Sequence, residues 1–450
     1  MAKYEPKTYV VTSAQYNASV NKEFYGALET YCKERNAELV LRTMAGKTVH
    51  DVDLDPLIAA DTRLTFRDKN LNDKIKASNY SIRPQQIDPV TGLERFTQSD
   101  TSTIFASPKQ RLKVIPNSNE SLPKVLMTTG AVTHPNYSED RIGKIATRDH
   151  VYGALVVEIV DDTIYHYRQL TASKNGQFVD MGVRYKEKGT EPCELEALVL
   201  GDWHVGDTNP DVRKATVEMI KELKPKRILL HDFFNGHSVN HHEEYRKITK
   251  AIIYAQERAS LEKELENCNN ELHSIADIAG EKCEVVVVRS NHDDFLERYL
   301  QEGKYFSDEF NWHIGHQLAL ACFDSKNLHL RVKNPLKAGL ELKGPLPKNV
   351  TFLERDQDYK VLGWQLGAHG DKGANGSRGS MKSMENAYGK SITGHSHTPG
   401  ILRNVFVVGT STHLTLSYNA GPSSWMNTHA MLWANGKPQL VHILDGKWRK

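Results

Sequence analysis

The chain has 450 residues, of which 39% are hydrophobic and 25% charged, and its formal net charge is +2 at pH 7. This length favours two or three domains, and the composition is typical of globular proteins, which excludes a disordered or fibrous chain. The balanced charge excludes a strongly basic surface over the whole chain, although a local basic patch for nucleic acid is compatible with it.

Cysteines and apolar runs indicate the compartment. The five cysteines are odd in number and form no CxxC pair, so the sequence favours neither a disulfide framework nor a cysteine zinc site. No apolar run reaches the roughly 18 residues that span a bilayer. The first residues, MAKYEPKTYVV, lack the apolar stretch of a signal peptide. We therefore expect a cytoplasmic protein without a membrane partner.

The N-terminal part begins with a predicted β-α-β unit. Residues 8–14 (TYVVTSA) and 38–44 (ELVLRTM) are strand-like, and apolar residues recur at helical spacing between them. Residues 45–125 are polar and rich in turn formers, which predicts long loops around short strands. Residues 154–170 predict a β-hairpin that turns at Asp161–Asp162.

A domain boundary is predicted near residues 185–194 (YKEKGTEPCE), where charge, Gly and Pro cluster. It separates an N-terminal α/β domain of unknown role, residues 1–190, from a catalytic domain, residues 195–450. In the second domain strand-like and helix-like segments alternate. This alternation predicts βαβ units whose functional groups gather where the strands end.

Residues 241–279 carry apolar side chains at near-helical intervals and predict one or two long helices. His241 and His242 fit the start of that helix better than a metal site, with Asn240 as N-cap and Glu243 completing a capping box. An apolar stripe exposed on this segment would join two copies in a homo-oligomer. Packing against the protein's own sheet is the alternative.

Metal-ligating residue types follow five predicted strands of the second domain. They are Asp202 and His204 in GDWHVGD, Asp232 in LLHDFF, Asn291, His292 and Asp293 in RSNHDDF, His369 in GAHGD, and His395 and His397 in GHSHTP. Because such strand ends converge on one edge of an open α/β sheet, we expect these side chains to meet in one pocket.

The ligand types agree with one metal chemistry. Imidazole, carboxylate and amide groups without a thiolate suit divalent cations, and we expect two Mn²⁺ ions, with Fe²⁺, Zn²⁺ and Co²⁺ as alternatives. A carboxylate that bridges two cations is typical of such centres. Asp232, alone at its strand end, is the candidate bridge.

The pattern resembles the calcineurin-like metallophosphoesterase superfamily, whose blocks run D-x-H, GD, GNH[D/E], H and GHxH. All five blocks occur in this order between about residues 195 and 445. The resemblance implies a layered β-sheet fold with flanking helices for this part, beside a separate α/β N-terminal domain. It also implies a metal-dependent phosphoric ester hydrolase.

The resemblance implies a role for each site residue. Seven residues are implied metal ligands: Asp202, His204 and His397 for one cation, Asn291, His369 and His395 for the other, and Asp232 for both. His292 would stabilise the transition state or protonate the leaving oxygen. Asp293 would fix that region without binding metal.

The chain departs from the superfamily at three positions. His231 and Ser290 stand where a Gly usually precedes the bridging Asp and the Asn ligand, which is tolerable if the backbone angles there are ordinary. Asn235 stands where protein phosphatases carry an Asp and the DNA-repair nucleases carry a His. An Asp there would orient and charge His292, and Asn235 occupies this catalytic position with an uncharged amide.

Three hypotheses for the substrate remain. The DFFN of residues 232–235 is similar to the DLFH of the DNA-repair nucleases, and a large extra domain suits a polymer, so we expect a deoxyribonuclease with DNA as its substrate. A phosphatase or small cyclic-nucleotide phosphodiesterase is the alternative, and a non-catalytic regulator is the third hypothesis. The combination of domains resembles proteins of large phages, which implies action in the host cytoplasm.

Four further segments are open between two interpretations. Basic runs at residues 107–113 and 221–227 are candidate contacts to a phosphate backbone, with ordinary solvated surface as the alternative. His237 would touch substrate or support His292, or else bond to backbone. Residues 371–380 would cradle phosphate through backbone N–H groups, or else form a surface loop.

Overall fold

The computed structural model describes residues 4, 7–48, 50–97, 100–118, 122–243, 246–323, 334–355, 357–416 and 419–449. The strands and helices up to residue 192 are β1 (Lys7–Gln15), α1 (Lys22–Arg35), β2 (Ala37–Met44), α2 (Pro56–Ala59), β3 (Lys69–Asn70), β4 (Ile75–Ala77), β5 (Ser102–Phe105), β6 (Arg111–Ile115), β7 (Lys124–Thr128), α3 (Arg141–Asp149), β8 (Gly153–Ile159), β9 (Tyr165–Thr171), β10 (Phe178–Asp180), β11 (Val183–Tyr185) and β12 (Thr190–Pro192).

The remaining strands and helices are β13 (Leu195–Val199), α4 (Pro210–Leu223), β14 (Arg227–Leu230), α5 (Lys247–Ala255), α6 (Leu261–Ala279), β15 (Glu284–Val287), α7 (Asn291–Gln301), α8 (Trp312–Cys322), α9 (Pro335–Lys343), β16 (Val350–Phe352), β17 (Lys360–Val361), β18 (Trp364–Gln365), α10 (Met381–Tyr388), β19 (Ser391–Thr393), β20 (Gly400–Leu402), β21 (Val405–Val407), β22 (Thr428–Trp433) and β23 (Pro438–His442). Short 3₁₀ segments lie at Leu93–Phe96, His237–Val239, His241–Glu243, Lys304–Phe306 and Ala374–Gly376.

The strands of the described residues form four sheets. A four-stranded sheet has the order β2-β1-β8-β9, and a three-stranded sheet has the order β10-β11-β12. A six-stranded sheet has the order β16-β15-β14-β13-β22-β23, and a ten-stranded sheet has the order β17-β18-β19-β21-β20-β6-β7-β5-β4-β3. Together with the helices between them, these sheets confirm the expected α/β class.

The predicted N-terminal β-α-β unit is confirmed, since β1 pairs with β2 in parallel and α1 joins them. Asn21 caps α1 by accepting a hydrogen bond from the Phe24 N–H at 2.9 Å, and Asn36 ends the helix in left-handed backbone. Phe24, Leu28 and Tyr31 of α1 are fully buried in the core beneath this sheet. The predicted hairpin over residues 154–170 is formed by β8 and β9.

The ten-stranded sheet crosses the boundary that the sequence predicts at residues 185–194. β6 pairs antiparallel with β20, which places Leu112 opposite Ile401. The buried Arg111 adds a hydrogen bond from its guanidinium to the Ile401 carbonyl at 3.0 Å. The expectation of a separate N-terminal domain is therefore corrected: the short strands within residues 45–125 bury their apolar sides by joining the strands of the C-terminal part.

The six-stranded sheet is the middle layer of the C-terminal part. Leu198 and Leu200 lie in a core shared with α4 and α6, whereas Ala197 and Val199, which alternate with them, lie in a core shared with the ten-stranded sheet. Burial on both faces explains why β13, β14 and β15 are apolar except at Glu196, Arg227 and Glu284 near their starts. Polar side chains can therefore gather where β13, β14 and β15 end, at the edge of the sheet that neither core covers.

The segment of residues 241–279 forms a 3₁₀ turn followed by α5 and α6, in agreement with the prediction of one or two helices. Asn240 accepts a hydrogen bond from the His242 N–H at 3.0 Å, so the turn starts where the sequence predicts a cap. The apolar stripe of α6 packs into the protein's own core. Exposed apolar side chains remain on α5, at Ile248 and Ile252.

Two further expectations concern the cysteines and membrane-spanning helices. The five cysteines are all free and buried, in agreement with the expected lack of disulfides. Within the described ranges, no helix combines the length and the apolar character that a membrane crossing requires.

Candidate metal centre

The strand ends of two sheets meet at one place. β13, β14 and β15 run parallel, so the segments that follow them leave the six-stranded sheet at the same edge. β18 and β19 run parallel in the ten-stranded sheet, and the segments after them reach the same site. The sequence predicts a single sheet edge, whereas the structure builds the cluster from the edges of two stacked sheets.

The first group of candidate ligands consists of Asp202, His204, Asp232 and His397, all buried. The Nε2 atoms of His204 and His397 lie 3.0 Å apart. His397 Nε2 lies 3.3 Å from an Asp202 carboxylate oxygen, and His204 Nε2 lies 3.6 Å from an Asp232 carboxylate oxygen. One cation can reach a donor atom of all four side chains.

The second group consists of Asp232, His369 and His395, with Asn291 beside them. His369 Nε2 lies 3.2 Å from an Asp232 carboxylate oxygen and 3.1 Å from the Asn291 amide oxygen. The same amide oxygen lies 3.0 Å from His395 Nδ1. The structure thus brings all seven predicted ligands together, in two groups that share Asp232.

Burial governs the protonation of these side chains. It raises the pKa of Asp202 well above its usual value, and the neighbouring Asp232 raises that pKa further. It lowers the pKa of His204 well below its usual value and that of His397 to about 3. Burial also acts to lower the pKa of His369, but the Asp232 carboxylate outweighs it and raises this pKa to about 9. A metal ion that binds here must therefore displace protons.

The donor atoms of the cluster fit a divalent cation. Asp202 Oδ2 and Asp232 Oδ1 are buried and form no hydrogen bond with the described residues. The described ion pairs of Asp202 and Asp232 involve histidines and neither Lys nor Arg. Buried carboxylate oxygens without a fixed cationic side chain beside them are suited to a metal ion, and this cluster could hold one.

Several candidate ligands adopt strained backbone. The φ angles lie in the left-handed region, which residues other than Gly rarely adopt. They are 46° at His204, 44° at Asp232, 75° at His395 and 55° at His397. Each such residue costs about 1–3 kcal/mol and persists where the surroundings enforce it, typically at functional sites. Four of the seven ligands are held in this way.

Gly394, the first residue of the GHSH block, is required by close packing. A Cβ atom at this position would lie 2.2 Å from an Asp202 carboxylate oxygen and 3.0 Å from the His231 Cβ. Any larger residue would therefore displace Asp202. The glycine allows the segments of the two sheets to approach each other at the cluster.

His292 lies beside the cluster and is held by the main chain. Its ring centroid lies 4.6 Å from that of His204, and its Nδ1 lies 2.6 Å from the backbone carbonyl oxygen of Asn235. A carbonyl only accepts, so Nδ1 carries the proton and Nε2 is the free nitrogen. Asn235 therefore orients His292 through its backbone, and its amide side chain points elsewhere.

Asp207, the last residue of GDWHVGD, is a site residue that the sequence did not single out. Its buried carboxylate accepts from the Asn235 amide at 2.7 Å, from Arg258 at 2.6 Å, and lies 2.9 Å from His237 Nε2. These partners outweigh burial and hold the pKa of Asp207 below its usual range. The sequence signal was only the proximity of Asp207 to His204.

The loop of residues 235–240, whose Asn235 carbonyl holds His292, is also anchored from α6. Glu264 accepts hydrogen bonds from the backbone N–H groups of Gly236 and His237, at 2.7 and 3.0 Å, and from the Ser238 hydroxyl at 2.6 Å. His237 thus pairs with Asp207 rather than with His292. The carboxylates of Asp207 and Glu264 fix the loop whose carbonyl holds His292.

The positions that depart from the superfamily have ordinary backbone. Ser290 is extended, with φ −122°, and His231 does not fall among the described residues of positive φ. Asp293 accepts a hydrogen bond from the Ser290 N–H at 2.8 Å and thereby fixes the start of α7. Burial raises the pKa of Asp293 to about 7. The structure places Asp293 behind the cluster and outside both ligand groups.

Several cationic side chains of the basic runs are paired with carboxylates. Lys226 and Arg227 pair with Glu196, at 2.6 and 3.4 Å, and Arg111 is buried beside Asp88 at 3.1 Å. This favours the structural interpretation of the run at residues 107–113, whereas the run at residues 221–227 also presents the exposed Lys221 and Lys224.

The loop of residues 371–380 is anchored at its first residue, where Asp371 accepts from Arg355 at 3.0 and 3.1 Å. Lys372 and Arg378 of this loop are exposed. The loop is therefore fixed at its base and also by Lys372, whose Nζ lies 3.1 Å from an Asp294 carboxylate oxygen, while Arg378 faces solvent.

No protein-family model matches this chain. The chain is similar to Protein A1 of Escherichia phage T5, with 28% identity over 468 aligned positions that cover 98% of this chain and 83% of that protein. A phage relative that spans nearly the whole chain agrees with the resemblance to phage proteins. The buried Asp and His cluster that could hold a metal ion lies within the matched length.

Proposed function

We propose that the protein is a dinuclear-metal phosphodiesterase that hydrolyses DNA. One observation carries the proposal: two buried groups of metal-ligating side chains overlap at a single carboxylate, Asp232. Asp202, His204 and His397 would hold one ion, and Asn291, His369 and His395 would hold the other. Mn²⁺ is the metal we assign first, since carboxylate, imidazole and amide ligands suit it.

Divalent cations at this place supply an activated water and neutralise the charge that develops on the phosphoryl oxygens. The protein's own residues hold the reacting groups in position and supply a proton. The Asn235 carbonyl keeps the His292 proton on Nδ1, so Nε2 can hold a second proton for the leaving oxygen. A general acid placed in this way contributes roughly 10² to 10⁴ in rate.

DNA is the proposed substrate on two grounds. The DFFN block after β14 is similar to that of the DNA-repair nucleases. The exposed Arg378 belongs to the loop that follows the ligand His369, where it would contact a phosphate that flanks the reacting one. Such a contact would favour a polymer over a small ester.

The test is a substrate panel. Metal-stripped protein is supplied with Mn²⁺ and incubated with linear DNA, circular DNA, a cyclic dinucleotide, a nitrophenyl phosphodiester and a nitrophenyl phosphomonoester. We expect hydrolysis of DNA and of the nitrophenyl phosphodiester. Hydrolysis of only the small substrates would replace the nuclease by a phosphatase or cyclic-nucleotide phosphodiesterase, and no hydrolysis at all would favour a regulator.

A further inference from the structure

A cavity of about 590 Å³ adjoins residues 237–241, which follow the Asn235 carbonyl that holds His292. Its other walls come from α5 and from residues 304–311. His237 lines the cavity and also lies 2.9 Å from Asp207, so the cavity adjoins the loop that holds His292. The volume falls in the range of roughly 300–1,000 Å³ that small-molecule pockets occupy.

Two aromatic rings dominate one wall. Tyr254 of α5 and Phe310 have ring centroids 5.3 Å apart at an interplanar angle of 77°, and they remain 48% and 56% exposed. Half-exposed rings of this kind leave a flat face for a third ring. Nucleobases stack on such faces whatever their sequence, because every base has a π-face.

Charged side chains of both signs line the cavity: Asp308 and Glu309, and Lys250 and Lys304. Asp308 is fixed by a hydrogen bond from the Tyr299 hydroxyl at 3.1 Å. Carboxylates accept hydrogen bonds from the exocyclic amino groups of bases, and ammonium groups attract phosphates. The cavity therefore offers partners for a base and for a phosphate that flanks it.

We propose that this cavity binds an unpaired nucleobase of a DNA substrate, stacked against Tyr254 and Phe310, while the adjacent phosphodiester lies at the metal centre. The proposal rests on the proposed function and narrows its substrate to single-stranded or locally unpaired DNA. A base that is stacked and paired within a duplex cannot enter the cavity without being extruded first.

The test compares ring-removing variants of the full chain, loaded with Mn²⁺, on a single-stranded oligonucleotide. Tyr254→Leu and Phe310→Leu each raise KM about tenfold, the size of a lost stacking contact. Neither variant changes the rate on the nitrophenyl phosphodiester, which has no base. Tyr254→Phe keeps the ring and the wild-type KM. Phe66→Leu, at a ring 59% exposed and outside the cavity, is the matched control.

A second measurement separates the cavity from catalysis. Fluorescence anisotropy measures the affinity of the metal-stripped protein for a labelled oligonucleotide. The affinities of the variants should follow the same order as their KM values. If the wild type hydrolyses no phosphodiester but binding still depends on the two rings, the proposed function fails and the base site stands.

Three results would overturn the base site. The first is a wild-type KM in both Leu variants, and the second is equal KM for single-stranded and duplex DNA. The third is a shift from dimer to monomer in sedimentation of either Leu variant, since that would show the rings to be an interface between two copies of the chain.

Discussion

Two fully buried carboxylates of this protein are neutralised in opposite ways. Asp180, at the end of β10, accepts from the Arg168 guanidinium at 2.6 and 2.8 Å and from the Tyr31 hydroxyl at 2.9 Å. Burial alone would raise the pKa of Asp180, but Arg168 outweighs burial and holds it below its usual value. This carboxylate is satisfied by the chain itself.

Asp232 is equally buried, but its described ion pairs involve only histidines, and Oδ1 has no hydrogen-bond partner among the described residues. The left-handed backbone at Asp232 shows that the fold accepts strain to keep it there. The comparison teaches that an arginine-paired carboxylate stabilises the fold, whereas a carboxylate surrounded by imidazoles belongs to a cluster that could hold a metal ion.

Replacing the shared carboxylate gives the largest expected effect. Asp232→Asn removes the bridging charge, and we expect hydrolysis of every phosphodiester to fall at least about a thousand-fold, or about 4 kcal/mol in the activation barrier. The free energy of unfolding of the metal-free protein should fall less than after the loss of an arginine's partner, because His369 can release its proton once the Asp232 carboxylate is gone. Steady-state rates and chemical denaturation measure the two quantities. An active variant would exclude Asp232 as the bridge.

The matched substitution at Asp180 should lower the stability of the fold and leave the hydrolytic rate unchanged. Asp180→Asn leaves Arg168 without one of its anions, and the loss of a partner from a buried ion pair costs about 3–5 kcal/mol in the free energy of unfolding. The folded fraction keeps its hydrolytic rate, since Asp180 lies outside both ligand groups. Denaturant titration together with rates normalised to folded protein would test this. Loss of activity without loss of stability would break the comparison.

Asp207 combines features of the two carboxylates, because it is satisfied by the chain and also positions His292 through Asn235. Asp207→Asn should lower kcat about 10- to 100-fold, the usual effect of removing a partner that orients a site. We expect KM and bound metal, measured by elemental analysis, to stay at wild-type values. Asp211→Asn, at an exposed position of α4, is the control. A loss of metal together with kcat would show that Asp207 serves the ligands instead.

The smallest effect concerns pH. In the metal-free protein Asp232 raises the pKa of His369 to about 9, against the effect of burial. A protonated imidazole cannot bind metal, so the affinity for Mn²⁺ should rise up to about tenfold per pH unit between pH 7 and 9 and level off above that. Calorimetry in buffers of different ionisation enthalpy would detect the released proton. An affinity independent of pH in this interval would remove His369 from the ligand set.

The sequence predicted which residues meet in the cluster, but not which residues support them. Asp202, Asp232 and Asn291 could be found because each follows an apolar strand, and parallel strands end at one edge. The contact of His292 could not be found, since a backbone carbonyl leaves no trace in residue identity. Asp207 has its partners up to 51 residues away, in a loop whose course the sequence does not indicate.

The sheets show the same limit at a larger scale. The α/β class and the local units, such as the hairpin of β8 and β9, follow from periodicity within a few tens of residues. The pairing of β6 with β20 joins Arg111 to Ile401, which are 290 residues apart. Short strands in a polar segment carry too little pattern to name such a distant partner.

The most direct test of the central claim is anomalous diffraction from crystals of the full chain grown with Mn²⁺. The account predicts two anomalous peaks, one on each side of the Asp232 carboxylate, with Asp202, His204 and His397 around one and Asn291, His369 and His395 around the other. A metal bound by other residues, or no peak at this cluster under saturating Mn²⁺, would contradict it.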